Sequence, residues 1–505
     1  MESTAVETGQ STATWNRRAI ASAWMIVAVG ATLRIGRFCA FRSLWLDELF
    51  LTHSILNRGF WNLISQPLDY WQAATPGFLV LEKLSVLVFG PGERALRLVS
   101  FVAGLGSLPL FLFVVKRILN ARAAIIALVF FATLGPLIYY SSEAKPYGSD
   151  VAIALAIALA VLRFVENPSI PRAKWLAGIG IGGVLCSFPA IFVLAGMGLG
   201  AIFMLRLAAV KRLAIALSAP AGVFVVEQFL LRHVLYDAEV HRQLVLYWAQ
   251  RNAFMPLWPI WWPGSALIAI CRSPGAMWLD YPGAAFCAFG VGAAIALRKR
   301  GGLLLMLAPF PVMLLAAALK QYPMADRLVL FFVPMILIGI GTGLDALCGN
   351  FAGIAAAMLI LCVTLVPSAR LSIAYFFHPP GREETLQTYR WIAEHWQPGD
   401  GIYLSHYATA SYDFYHQQAG LNCDPSRLWI EPPLDQDSSA VFGDVEKLAG
   451  KGRIWVVQVH TDEAGDQQSC TLAALDQIGR RDPDLFHFEP GANTWLYDCG
   501  KTIKP

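Results

Sequence analysis

The chain has 505 residues, of which 56% are hydrophobic and 15% charged, and its mean hydropathy is +0.52. So much apolar surface excludes an ordinary soluble globule and points to lipid as the solvent. The net charge of +4 is too small to indicate a nucleic-acid partner.

The polar N-terminus ends at Arg17-Arg18, and an apolar run follows as far as Arg34 and Arg37. It has no convincing small-residue cleavage site, so it reads as a first membrane span rather than a signal peptide. A spanning helix needs ~20 apolar residues. Stretches at 19–40, 95–115, 123–140, 150–165, 175–188, 190–206, 213–231, 281–297, 302–319, 328–346 and 351–373 meet or approach that length, about eleven spans in all. Basic clusters stand at Arg17-Arg18, Lys116-Arg117 with Arg122, Arg172 with Lys174, Lys211-Arg212 and Arg298-Lys299-Arg300. With these spans all five fall on one side, which predicts a cytoplasmic N-terminus and an extracytoplasmic tail.

Three segments then face outward. The first, about 41–94, carries Leu49, Leu56, Phe60 and Leu63 at helical spacing, then the apolar run TPGFLVLEKLSVLVFG; both predict helices lying in the interface. The second is SSEAKPYGSD at 141–150, and the third is a Trp- and Tyr-rich stretch at 232–264. From about His378 charge rises and long apolar runs stop. REETLQTYRWIAEHWQ reads as an amphipathic helix, and GIYLS, RIWVVQV, DLFHFE and NTWLYD read as strands, with a helix across TDEAGDQQSCTLAALDQIG. The predicted architecture is an α-helical polytopic membrane protein over 1–375, with a small soluble α/β domain over 376–505. Of the nine cysteines, Cys423, Cys470 and Cys499 lie in the tail, so at most one pair can bridge there.

Asp47 and Glu48, in SLWLDELFL, are two adjacent carboxylates just beyond the first span. Such groups are costly near a membrane unless paired, hydrated or bound. They suit a general base or metal ligands, while a helix cap is the plainer alternative. Lys145 and Arg327, in SSEAKPYGSD and QYPMADRLVLFFVP, share the outer side and suit an anionic ligand. Snorkelling, or pairing with Glu143 or Asp326, is the plainer alternative for them. His53, Glu143, His233 and Arg242 are further candidates, for which an interfacial or solvated role is the simpler reading.

The succession LWLDE, TPGFLVLEKLSVLVFGPGERALRLVS, PLIYYSSEAKPYGSDVAIAL and YPMADRLVLFFVP resembles the GT-C superfamily of membrane glycosyltransferases. Within it, the chain is most similar to the protein O-mannosyltransferase-like group and the lipid A aminoarabinose and galacturonic acid transferases. The resemblance covers the N-terminal 165 residues well and the late Arg segment more loosely. It implies a polyprenyl-phosphate sugar donor, an active site at the outer face, and a catalytic Asp in the first outer loop. Asp47 matches that Asp, Glu48 the second acid, and Arg327 a basic residue near the donor phosphate. Lys145 and Tyr147 join Arg327 as expected phosphate-binding groups. The aminoarabinose transferases carry Glu-Lys before the proline matching Pro76, whereas Ala74 and Thr75 stand here. That departure favours the broader branch.

The expected reaction is inverting transfer of the sugar to a lipid, glycan or protein acceptor, with Asp47 as general base. A divalent metal (Mg, Mn or Zn) on Asp47 and Glu48 is left open. The expected location is a bacterial inner membrane with a periplasmic tail. Competing readings are a polysaccharide polymerase or ligase, which needs no acidic pair after the first span, and a lipid-linked sugar transporter, which often shows internal repeats absent here.

Overall fold

The computed structural model describes residues 15–40, 42–230, 238–256, 261–273, 289–295, 301–379, 381–432, 438–460 and 465–500. It divides into two compact units, Met1–Ala40 with Ile55–Pro379 and Phe41–Ser54 with Pro380–Pro505. The sequence grouped the acidic pair with the membrane part. In the structure the segment that carries it packs with the tail instead, held by backbone hydrogen bonds to Glu383, Glu384 and Tyr415.

The first unit is helical. Asn16 caps α1 (Arg17–Cys39) by accepting from the Ala19 amide at 2.8 Å. Then come the end of α2 (Leu46–Asn57), α3 (Phe60–Ser65), α4 (Pro76–Phe89), α5 (Glu93–Ile118), α6 (Ala121–Thr133), α7 (Gly135–Tyr139), α8 (Tyr147–Glu166), α9 (Ile170–Cys186), α10 (Ala190–Ile202) and α11 (Leu207–Leu230). After them lie α12 (Ala238–Gln250), α13 (Trp262–Arg272), α14 (Gly302–Leu307), α15 (Pro309–Ala318), α16 (Val333–Leu347) and α17 (Phe351–Phe377). Among the described residues six helices are long and apolar enough to cross a bilayer, and α6–α7 make a seventh if that bent pair is one span. Every expected span within the described residues falls on a helix; the one at 281–297 lies mainly outside them. The count of about eleven reads short helices such as α10 and the pair α14–α15 as full crossings, and neither reaches 18 residues. The chain is a multi-pass membrane protein.

Four of the five basic clusters meet at one end of this unit, and Arg298-Lys299-Arg300 lies outside the described residues. Arg117 pairs with Glu166, Arg172 stands 4.0 Å from the same carboxylate, and Arg122 pairs with Asp345. Arg212 donates to the Pro168 carbonyl at 2.7 Å, and Lys116 lies 5.3 Å from the Trp15 ring centre. The core between is apolar, with Phe111 stacked on Phe131 at 4.3 Å.

The second unit is α/β. Its sheet has the order β2-β1-β3-β5-β4, from β1 (Gly401–Leu404), β2 (Leu428–Ile430), β3 (Arg453–Val459), β4 (Arg480–Glu489) and β5 (Ala492–Asp498). β1 runs parallel to β2 and β3, while β5 runs antiparallel to β3 and β4. Central β3 is buried almost throughout, as its unbroken apolar run requires. Trp391 of α18 (Thr385–Glu394) packs edge-on against Trp455, on one face of the sheet. Ile454 and Val456 join a core on the other face with residues of α20 (Ser438–Glu446) and α21 (Gly465–Ile478). Between them in the chain lies α19 (Ala408–Tyr415). β4 is an edge strand whose register slips between Arg481 and Phe486, where Pro483 has no amide to donate. The described tail cysteines, Cys423, Cys470 and Cys499, are free thiols.

Candidate functional site

In the second unit the acidic pair opens α2, where negative charge suits the positive helix end. Glu48 is fully buried and its Oε2 accepts the Trp45 amide at 3.3 Å, a reach-back cap of the first turn. Asp47, one residue before, is only partly buried. The segment leading into the helix has its backbone donors satisfied by the tail. The Ser43 amide reaches Glu384 at 3.1 Å, the Leu44 amide the Tyr415 hydroxyl at 2.6 Å, and the Leu46 amide Glu383 at 2.8 Å. Arg382 lies over the Trp45 ring at 3.6 Å. Glu383, 2% exposed, also meets Nδ1 of His460 at 2.8 Å. His53, further along α2, lies within electrostatic reach of Asp413, whose carboxyl is pushed up by burial and pulled back by His53 and His416.

In the first unit two cationic groups stand at the end opposite the basic clusters. Lys145 is 4% exposed and its ammonium donates to the Gln72 side chain. Gln72 follows Tyr70 and Trp71, whose φ of 55° and 54° turn the chain sharply. Arg58 secures that turn by donating to the Pro67 carbonyl at 2.7 Å and pairing with Asp69. Ser100 of α5 accepts no freedom in the Lys145 backbone: its hydroxyl donates to the Lys145 carbonyl at 2.5 Å. Arg327 donates from Nε to the Tyr147 hydroxyl at 3.0 Å and lies 5.6 Å from that ring centre. Asp326, with φ 46°, precedes it, and Ser273 donates to the Asp326 carboxylate at 3.2 Å. Burial holds the Tyr322 hydroxyl well above its ordinary value, so it stays a donor, to the Leu328 carbonyl at 2.7 Å.

The structure thus brings Arg327 and Tyr147 together. Glu143 is fully buried, Arg242 is exposed on α12, and His233 lies outside the described residues. Gln72, Glu383 and Tyr415 were not anticipated; the Glu383-Glu384 pair at the compositional break was the available signal. Among the described residues no three His, Cys, Asp and Glu groups come together as metal ligands. The acidic pair offers two carboxylates, one already accepting from an amide, a donor set that would hold a divalent cation only together with a substrate phosphate.

No protein-family profile and no curated protein matches the chain. Solved structures do. The oligosaccharyltransferase AglB from Archaeoglobus fulgidus, in complex with an inhibitory peptide and a dolichol-phosphate, aligns with a TM-score of 0.53 at 12% identity, over 95% of this chain and 74% of that one. The same enzyme with zinc and sulfate aligns at 0.51 and 13%, over 94% and 72%. ArnT from Cupriavidus metallidurans, bound to undecaprenyl phosphate, aligns at 0.50 and 12%, over 96% and 98%. At such identity the likeness speaks for architecture alone, and that architecture is the GT-C fold of membrane glycosyltransferases.

Proposed function

We propose that the chain transfers a sugar from a polyprenyl-phosphate carrier to an acceptor hydroxyl at the outer face of a bacterial inner membrane, with its N-terminus cytoplasmic and its tail periplasmic. The carrying observation is Asp47, a partly exposed carboxylate on a helix turn whose entry is fixed by backbone amides donating hydrogen bonds to Glu383, Glu384 and Tyr415. A fold shared with enzymes solved with dolichol-phosphate and undecaprenyl phosphate supports the donor class.

In this reading Asp47 accepts the proton of the acceptor hydroxyl as its oxygen attacks the anomeric carbon. The bond from that carbon to the phosphate oxygen breaks, and its electron pair leaves with the prenyl phosphate. Lys145 and Arg327 stabilise the departing anion, and Tyr147 orients the Arg327 guanidinium. Phosphate is already a good leaving group, so one acid/base side chain suffices, and direct displacement inverts the anomeric centre. Glu48 supports Asp47 by closing the turn on which it stands.

The test is transfer by purified full-length protein in lipid, offered a panel of polyprenyl-phosphate sugars and membrane-derived acceptors. Asp47→Asn is expected to slow transfer by roughly 10²–10⁴-fold. Wild-type turnover by a correctly inserted Asp47→Asn protein removes Asp47 from the mechanism.

A further inference from the structure

Two buried carboxyl groups of the first unit have no part in the chemistry above. Asp150 stands in the first turn of α8 and Glu227 near the end of α11, 6% and 7% exposed. Among the described residues Oε1 of Glu227 and the Thr75 hydroxyl, 1% exposed, have no hydrogen-bond partner, and Oδ1 of Asp150 and the Ser187 hydroxyl, 2% exposed, have none but each other. Buried oxygens of this kind are costly unless something donates to them, and at membrane depth they mark function more often than packing.

The helix contacts bring the four together. A Cβ on Gly183 of α9 would lie 3.2 Å from Ile153 and 3.1 Å from Ile157 of α8. One turn nearer the end of this antiparallel pair are Ser187 and Asp150, side by side. A Cβ on Gly180 of α9 would lie 3.0 Å from Pro220 of α11. These two helices run the same way, and two turns further along, roughly 10 Å, they reach Ser187 and Glu227. Cys186 feels the charge of both Asp150 and Glu227. A Cβ on Gly77, at the start of α4, would lie 2.6 Å from the Cys186 sulfur, which brings Thr75 to the same place. The cations flank this group: Gln72, just before Thr75, holds Lys145, and Tyr147, one turn before Asp150, holds Arg327.

The chemistry of the cluster selects its ligand. Its members are mostly acceptors, so it calls for a ligand rich in hydroxyl donors. Among the described residues no three of its acidic and thiol groups are close enough to share one metal ion. Hydroxyls spread around a sugar ring can meet acceptors set further apart. The order of groups, cations first and acceptors beyond, follows a phosphate joined to a sugar.

We propose that Asp150, Glu227, Ser187 and Thr75 form the subsite that recognises the hydroxyls of the sugar on the prenyl phosphate, with Lys145 and Arg327 on the phosphate side. This rests on the donor class proposed above. The test compares binding of bare decaprenyl phosphate with decaprenyl-phosphate-linked mannose, glucose, galactose and arabinose, on full-length protein in nanodiscs. The wild-type chain binds at least one charged lipid more tightly than the bare one. Asp150→Asn and Glu227→Gln each weaken that lipid roughly tenfold to a hundredfold and leave the bare lipid unchanged. Alkylation of Cys186, followed peptide by peptide in the unmutated protein, is slowed by the charged lipid and not by the bare one, a readout independent of how the variants fold. No preference for any charged lipid, or equal Cys186 alkylation with both lipids, overturns the subsite. Failure to bind even bare decaprenyl phosphate overturns the donor reading itself.

Discussion

Glu383 joins two distant pieces of chain through a single carboxylate. Its Oε2 accepts the Leu46 amide, and its Oε1 meets His460. Glu383→Ala leaves a buried amide without an acceptor, a loss of roughly 1–3 kcal/mol. Glu383→Gln keeps an oxygen there and loses less. Thermal unfolding of the purified full chain is expected to rank wild type, Gln and Ala in that order; equal midpoints for Gln and Ala contradict the assigned bond. Glu431, 3% exposed and bonded to Thr471, behaves differently. Burial pushes its carboxyl above the usual range despite that bond. The folded state therefore holds this proton more tightly than the unfolded chain does. Its contribution to stability is fully present below the unfolded value of about 4.3 and is lost as pH rises through the raised folded value. Glu431→Gln is expected to flatten that part of the stability–pH curve, measured by thermal melts stepped upward from pH 4; an unchanged slope rules the contribution out.

Between α6 and α7 the chain bends by 57° at Leu134-Gly135-Pro136, where Pro136 has no amide to continue the helix. The carbonyls exposed by the break are met from neighbouring helices. Arg34 of α1 donates to Phe131 and Ala132, both at 3.2 Å, and Ser372 of α17 donates to Thr133 at 2.6 Å. Arg34 and Arg37 looked in the sequence like the outer edge of a span. They are buried, and Arg37 lies over the Tyr139 ring at 4.7 Å. The bent pair leads straight into the segment carrying Lys145, and α5 receives that segment closely at Gly104, where a Cβ would collide with Ser141. Gly104→Ala is expected to destabilise the protein by about 1–3 kcal/mol and to weaken binding of bare prenyl phosphate; unaltered melting and binding would show that the contact yields freely. Hydropathy made the helices legible because lipid-facing and core-facing residues are alike apolar. It could not reveal the bend, since Gly-Pro also opens ordinary helices. Nor did it reveal β2, whose three residues are too few to show alternation.

For the molecule as a whole, Arg117, Arg122, Arg172 and Arg212 share one end of the first unit, and the proposed topology sets that end in the cytoplasm. Cys348 lies between α16 and α17, next to Asp345 at that same end, while Cys423 lies in the tail. A membrane-impermeant thiol reagent added to intact cells with a permeabilised outer envelope is expected to modify Cys423 and spare Cys348; the opposite pattern inverts the topology. Asp47, Lys145 and Arg327 were readable in the sequence because charge beside apolar runs stands out. Gln72 and Tyr415 were not, because neutral polar residues gain meaning only from what they touch. Glu227 was hidden within a long apolar stretch, where one acid does not lower hydropathy enough to be noticed.

The union of 41–54 with the tail also sets an order of assembly. The Leu46 amide and its acceptor Glu383 are 337 residues apart in sequence. At translation speeds of about 5–20 residues per second, the loop waits roughly 20–70 s before its partner has been made. This early-made piece of the protein is therefore among the last to become ordered, so a ribosome that stalls short of the tail leaves a helical unit whose acidic turn has never been set.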